Sequence, residues 1–288
     1  MMALPDLAGR LALKHHGRSW RGACPACGYA GTFAMRSGRG DAVRLFAACG
    51  CTRDDLADAV RRVAGGEALP GAHRAADAQD MLAARARKQT AALRLWAGSE
   101  AAAGTLADAY LIGRALPGLA AASTLRFRGD CPHPEGGRLP ALVALVTDAA
   151  GQPLAVHRTY LRADGRGKAS VEPQKATLGP VWGGAIRLDP VAPELVIGEG
   201  IETSASAGRL LGLPAWAAIS AGNLARGLVL PPEVRRVVIA SDADEPGETA
   251  ARAAALRWSA EGRAVRIARP DHAGQDFNDV LRARAGVV

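Results

Sequence analysis

"VVIASDADEPG", residues 237–247, is an apolar, β-branched run that stops in Asp242, Asp244 and Glu245 with no basic residue among them. A short continuous apolar run reads as a strand buried on both faces, and Pro246 followed by "ETAARAAALRWSAEG" (248–262) reads as a helix start. The same strand-then-helix pattern lies upstream in "ELVIGEG" (194–200) and "ETSASAGRLLG" (202–212). It continues through "AWAAISAG" (215–222) and closes in "AVRIARP" (264–270). Strands alternating with helices predict a doubly wound, mostly parallel sheet over residues 193–288.

Such sheets bind their ligands at the carboxyl ends of the strands. Glu199 follows one strand and Asp242 and Asp244 follow another, so three carboxylates are expected on one edge. Two positions apart in extended chain, Asp242 and Asp244 point to the same side. Converging carboxylates drive one another toward the neutral form unless a cation lies between them, and hard oxygen ligands suit Mg²⁺ or Mn²⁺. A plainer reading places Asp242, Asp244, Glu245 and Glu248 at a helix N-terminus, where acids complement the dipole. "GEG" one βα unit earlier favours the cation site, with Gly198 and Gly200 leaving the backbone beside Glu199 free to turn.

The chain has 288 residues, 49% of them hydrophobic, enough for a full core and two or three modules. No stretch approaches the ~20 apolar residues of a membrane span, and "MMALPDLAGRLALKHH" lacks the features of a secretory signal. A cytoplasmic protein with no membrane partner is expected. The formal net charge of +8 is uneven, at +7 for residues 1–97, +2 for 98–192 and −1 for 193–288. An N-terminal excess of this size suits a polyanion such as nucleic acid.

Four of the five cysteines fall between residues 24 and 51. "CPACG" sets Cys24 and Cys27 on one knuckle, and "CGC" offers Cys49 and Cys51. Two such pairs resemble a zinc ribbon, in which thiolates hold Zn²⁺ tetrahedrally in place of a core. The second pair is one residue shorter than CxxC, which leaves the fourth ligand open between Cys51 and His15, His16 or Asp41. Cys131, beside prolines, reads as an ordinary loop thiol.

The organisation expected is therefore a zinc-ribbon DNA-binding domain over 1–66 and a helical linker over 67–100. A mixed α+β subdomain over 101–192 and the doubly wound domain over 193–288 follow. The linker contains an exposed helix from Ala75 to Trp96, and "LADAYLIGRAL" (106–116) is a second helix. "LPALVALVTDAAGQPLAVHRTYL" (139–161) reads as two antiparallel strands around a turn, and "RADGRGKASVEPQKATLG" (162–179) as a basic loop.

On these motifs residues 194–282 resemble a Toprim domain, the catalytic module of DnaG-type primases, type IA and II topoisomerases and some nucleases. "VIGEGIET" is similar to its glutamate motif, "SDADEPG" to its DxD motif and "GQDFNDVL" to a further acidic motif of primases. The resemblance implies that Glu199, Asp242 and Asp244 are catalytic and bind Mg²⁺ or Mn²⁺, with Asp276 and, more weakly, Asp279 joining them. A zinc ribbon ahead of a Toprim domain resembles DnaG-type primases, especially the short proteins of phages, plasmids and integrated elements. That implies Zn²⁺ on Cys24, Cys27, Cys49 and Cys51. It also implies Arg158, Lys168 and Lys175 as template and nucleotide contacts, with Arg158 and Lys175 on strands lying beside the acidic edge. The partners implied are single-stranded DNA and nucleoside triphosphates. This chain has no helicase motor, so a replicative helicase would be a separate partner.

The function implied is metal-dependent synthesis of RNA primers on single-stranded DNA. Two alternatives use the same motifs, namely a Toprim nuclease and a non-catalytic zinc and Toprim DNA-binding mediator. The Toprim nucleases of this kind are fused to an ATPase, and the chain has no GxxxxGK[ST] P-loop. Retention of all three core acids disfavours the mediator. A topoisomerase is disfavoured, since only Tyr29, Tyr110 and Tyr160 are available as nucleophiles and a chain this short is not expected to form a strand-passage gate.

Overall fold

The computed structural model describes residues 3–17, 19–26, 33–37, 43–47, 53–65 and 75–286. They form two compact units, Met1–Met81 and Leu82–Val288.

In the first unit, α1 (Leu4–Arg10) precedes strands β1 (Lys14–His16), β2 (Ser19–Gly22), β3 (Phe33–Ser37) and β4 (Val43–Ala47), and α2 (Arg53–Val63) follows. The strands form an antiparallel sheet in the order β1-β2-β3-β4. Alternation splits its faces. Phe33 and Met35 join Leu7, Leu13, Leu56 and Val60 in a small core. On the other face the register sets Lys14 opposite Arg21, Arg21 opposite Ala34, Ala34 opposite Phe46, and Arg36 opposite Arg44. The Arg36 guanidinium lies 5.0 Å over the Phe46 ring, which is 43% exposed. Cys24 is buried at the edge of the core. Cys27, Cys49 and Cys51 lie outside the described residues, as do Arg18, Arg39 and Asp41.

α3 (Ala75–Ala97) begins in the first unit and ends in the second. The sequence reads it as an exposed connector, and its last part departs from that. Ala92 is fully buried, Leu95 and Trp96 pack on Cys131, Ala141, Val143 and Tyr160, and Gln89 Nε2 donates to the Pro153 carbonyl at 2.9 Å. Period-3.6 spacing of three apolar residues among Ala and Arg was too sparse a signal for that face. Cys131, expected in a loop, is fully buried on a strand.

Next come β5 (Glu100–Ala101), α4 (Leu106–Gly113), β6 (Leu125–Pro132), β7 (Arg138–Thr147), β8 (Pro153–Tyr160) and β9 (Lys175–Leu178). The five strands make one antiparallel sheet in sequence order. Residues read as a single basic loop thus include β9, which pairs with β8 through Thr159–Lys175 and His157–Thr177.

The C-terminal part contains β10 (Ile186–Arg187), β11 (Glu194–Gly198), α5 (Ile201–Leu211), β12 (Ala215–Ala217), a π-helical turn (Asn223–Gly227), β13 (Arg236–Ala240), α6 (Glu245–Ala260), β14 (Ala264–Ala268) and α7 (Phe277–Arg284). Its sheet order is β10-β12-β11-β13-β14, parallel except for β10. From β11 the chain crosses to β12 on one side, then returns past β11 to β13 and β14 on the other. Right-handed crossovers in opposite directions send α5 and α6 to opposite faces. The reversal opens a crevice between the carboxyl ends of β11 and β13, where the mostly parallel sheet was expected to present its acids. Among the described residues no helix is long and apolar enough to cross a membrane.

Candidate active site

Gly198 on β11 is registered with Ala240 on β13, so Glu199 and Asp242 leave adjacent strands at the crevice. Gly198 is required there for space, since a Cβ would lie 2.9 Å from Ser204 Oγ and 3.3 Å from the Ala240 carbonyl oxygen. The loop after β12 closes over Glu199, whose carbonyl accepts from Ile219 N at 2.8 Å. Ile219 has φ +77°, a left-handed conformation that is costly for a β-branched residue, and the backbone N–H of Ala221 hydrogen-bonds the Glu199 carboxylate. Asp242 Oδ1 accepts from Thr203 Oγ1 at 3.3 Å, which ties the β13 loop to α5.

Burial, reinforced by Asp242, pushes Glu199 up to about 7 despite Lys175 and the Ala221 N–H, which pull the other way. Burial, reinforced by Asp276, pushes Asp242 up to about 6. These two carboxylates form an electrostatically strained pair of the kind a cation relieves.

The other acids have helix-end roles. Asp244 is exposed and caps α6, its Oδ1 accepting from Gly247 N at 2.7 Å. A Cβ at Gly247 would sit 2.8 Å from that oxygen, which is why the cap needs glycine. Glu248 pairs with Arg252 at 2.7 Å and Arg269 at 2.6 Å. Asp276 and Asp279 form a reciprocal capping box on α7, at 2.8 and 3.2 Å. The helix-end reading therefore applies to Asp244, Glu245, Glu248, Asp276 and Asp279, and the strained pair is Glu199 with Asp242. We predict that Asp276→Ala lowers stability by about 1 kcal/mol and that Asp276→Ser, which can still cap, restores it within about 0.5 kcal/mol, as read by chemical denaturation.

The basic residues separate by strand parity. Lys175 and Thr177 share one face with Thr159 and His157, while Arg158 and Ala176 lie on the other. Lys175 Nζ reaches α5, 3.2 Å from Glu202 Oε2, and a Cβ at Gly200 would lie 3.8 Å from it. Lys168 Nζ lies 3.5 Å from Glu202 Oε1. Both lysines therefore converge on Glu202, and Lys175 also interacts with Glu199. Arg158 does not join them, contrary to the expectation that it would flank the acidic edge. It is buried, donates to the Pro132 carbonyl at 2.9 Å and the Thr177 carbonyl at 3.2 Å, and lies over Tyr160. Its charge is used in holding the middle sheet.

Three residues were missed in the sequence. Glu202 is buried on the first turn of α5 and accepts from Tyr110 Oη at 2.5 Å. His157 is buried, and desolvation together with the neighbouring Lys175 lowers it to about 3, so it is neutral. Its Nδ1 and Thr159 Oγ1 are buried without a protein partner. No local pattern marks these residues, because their partners are far apart in the chain.

The donor set suits a hard divalent ion, although among the described residues no three His, Cys, Asp or Glu side chains already form a metal-holding group. That arrangement fits Mg²⁺, which commonly takes one or two carboxylates and completes its shell with water and substrate phosphates.

Residues 194–286 match the family model described as Toprim domain, and residues 86–188 match one described as a domain of unknown function, DUF7146. Residues 194–286 are thus a Toprim domain. Among solved structures it is similar to the primase fragment of the bacteriophage T7 primase-helicase protein, at 14% identity over 93% of this chain and 95% of that one, with TM-score 0.44. It is also similar to the Aquifex aeolicus primase (zinc binding and RNA polymerase domains), at 14% identity over 98% and 83%, with TM-score 0.48. A third is a DNA primase domain from Pseudomonas aeruginosa, at 19% identity over 68% and 73%, with TM-score 0.45. At TM-scores below 0.5 these likenesses carry no functional argument. No curated protein matches the chain.

Proposed function

We propose that this protein is a DNA primase that makes short RNA primers on single-stranded DNA by divalent-metal-dependent nucleotidyl transfer. The observation that carries the reading is the juxtaposition, at the switch point of a Toprim sheet, of the strained Glu199–Asp242 pair with Lys168 and Lys175. Nucleotidyl transfer brings together a template, a growing strand and a triphosphate, all anionic, and needs cations fixed around the reacting phosphorus.

Glu199 and Asp242 would hold Mg²⁺ or Mn²⁺, with Asp244 and Asp276 at the rim. The ion, when bound, supplies charge neutralisation at the phosphate oxygens. Glu199, raised by burial in the ion-free protein and favoured as the carboxylate beside a bound cation, would take the proton of the attacking 3′-hydroxyl. Lys168 and Lys175 bind and orient the triphosphate as point charges.

Template binding is assigned to the first unit, whose open sheet face combines Lys14, Arg21, Arg36 and Arg44 with the exposed Phe46 ring. Cations track a phosphate backbone and an aromatic face stacks a base. Zn²⁺ on Cys24, Cys27, Cys49 and Cys51 would brace this unit. We expect one zinc per chain by elemental analysis of protein purified without chelator. Zinc-free folded protein would overturn that assignment, and metal retained in Cys51→Ser but lost in Cys49→Ser would place the fourth ligand elsewhere.

The deciding assay combines the full chain, single-stranded DNA, labelled ribo- and deoxyribonucleoside triphosphates and Mg²⁺ or Mn²⁺. New template-dependent oligonucleotides are expected. Template degradation would instead make the protein a nuclease, and binding without either product a mediator.

A further inference from the structure

Glu202 stands apart from the acidic edge and is the one carboxylate in the buried class among the described residues. Its Oε1 accepts from Tyr110 on α4 at 2.5 Å and lies 3.5 Å from Lys168 Nζ. Its Oε2 accepts from Lys175 on β9 at 3.2 Å. Three donors from three separate segments thus meet one carboxylate at the start of α5, three residues after Glu199.

Stability alone does not explain this arrangement. The lysines outweigh the cost of burying Glu202, but burial still holds Lys168 below its usual range, and buried ion clusters of this kind can often be replaced by apolar side chains, here beside Ile201 and Ala205, without loss of stability. Two ammonium groups brought this close repel each other, and the shared carboxylate is what holds them together. Glu199 and Asp242 are the neighbouring carboxylates, and both interact with Lys175. Arg114 on α4 is a further cation, and His157 on β8 is neutral.

We propose that Glu202 is a positioning residue that fixes Lys168 and Lys175 as a rigid pair, spaced to hold the phosphate oxygens of a nucleoside triphosphate beside Glu199. The triphosphate part rests on the polymerase reading above. A lysine on a free four-carbon stem must be ordered when phosphate arrives, whereas a lysine already held by Glu202 has lost that freedom beforehand. Tyr110 completes the device by fixing the carboxylate from the side away from Lys175.

The test uses the full chain and exploits its composition, since the only lysines are Lys14, Lys88, Lys168 and Lys175. Lysine side-chain NMR therefore reads four signals, assigned with Lys14→Arg and Lys88→Arg. Glu202→Gln keeps the shape and a hydrogen-bond acceptor for Tyr110 while removing the charge. We expect the Lys168 and Lys175 signals to move or broaden in Glu202→Gln while those of Lys14 and Lys88 stay. KM for the nucleotide should rise at least tenfold with kcat changed less than threefold, and Glu202→Asp should recover part of the loss. Tyr110→Phe, which removes only the orienting hydroxyl, should move the same two signals less, and this keeps the test open if Glu202→Gln does not fold. Unmoved Lys168 and Lys175 signals in a folded variant, or an unchanged KM, overturn the proposal. If the enzyme makes no primer at all, inorganic triphosphate serves as probe. Perturbation of both lysine signals in the wild type but not in Glu202→Gln upholds the positioning role while the polymerase reading falls, and equal perturbation in the two proteins overturns it.

Discussion

Asp242→Asn should abolish metal-dependent synthesis while making the metal-free protein more stable at pH 8, a pairing of effects that ordinary structural damage does not produce. Asp242 and Glu199 both have folded pKa values above their usual ones, at about 6 from 3.8 and about 7 from 4.5. In those windows the folded protein keeps protons that the unfolded chain has released, so stability falls as pH rises through them. The penalty is absent below the unfolded values and present in full above the folded ones. At roughly 1.4 kcal/mol per unit, removing one member of the pair should recover on the order of 1–3 kcal/mol at pH 8.

Other groups titrate as well. His157, lowered from 6.5 to about 3, makes stability fall as pH drops below 6.5, because only the unfolded chain takes up that proton. Glu202 is held below the usual carboxylate range: although burial opposes this, Lys175 and Lys168 outweigh it, so its contribution is lost only in acid. Both contributions are common to wild type and Glu199→Gln and cancel when the two are compared. Melting in chelator should therefore show wild type losing stability relative to Glu199→Gln as pH rises from about 4.5 to about 7. Mg²⁺ or Mn²⁺ should stabilise wild type at pH 8 and leave Asp242→Asn unchanged. Full activity in Asp242→Asn, or no gain in its stability without metal, would remove the cation site from this pair.

The C-terminal sheet was legible because strands buried on both faces are unbroken apolar runs, and because an acid just beyond such a run marks the strand end. "ELVI" and "RVVIA" meet that description, and Glu199 and Asp242 lie where it places them. β6 was less visible. Leu125 and Phe127 face one core while Arg126 faces α3, its guanidinium 4.4 Å over the Trp96 ring, and the register shifts between Arg128 and Cys131 and breaks the period of two. The capping roles could have been anticipated, since Asp276 with Asp279 and Asp244 with Gly247 have N-cap to N3 spacing. Glu202 could not, because a first-turn acid reads as a dipole complement and its lysines lie 27 and 34 positions away. Arg158 was misjudged because the face a strand residue occupies depends on register with its neighbours, and β9 was hidden in what read as a loop.

That register produces the sharpest contrast between two residues expected to behave alike. Arg158→Ala deletes two charge-assisted hydrogen bonds to the Pro132 and Thr177 carbonyls, so it should cost about 2–3 kcal/mol of stability. The Pro132 carbonyl keeps the Tyr160 hydroxyl at 2.8 Å, which limits the loss. Because Arg158 faces away from the acids, the salt dependence of template binding should be unchanged, and activity measured below the melting transition should fall less than threefold. Lys175→Ala should do the reverse. Its side chain is one-third exposed, and Glu202 keeps Lys168 and Tyr110, so stability should fall by at most about 1 kcal/mol. A fixed cation beside the reacting phosphates is worth roughly 10²–10³ in rate, and synthesis should fall by that factor. If Lys175 contacts a phosphate of the nucleic acid as well, the slope of log affinity against log salt should become shallower by about one unit. The two variants are compared by denaturation, salt titration and primer yield on one preparation each. A destabilised but active Lys175→Ala, beside a stable but inactive Arg158→Ala, would reverse both assignments and place the polyphosphate on the opposite face of the middle sheet.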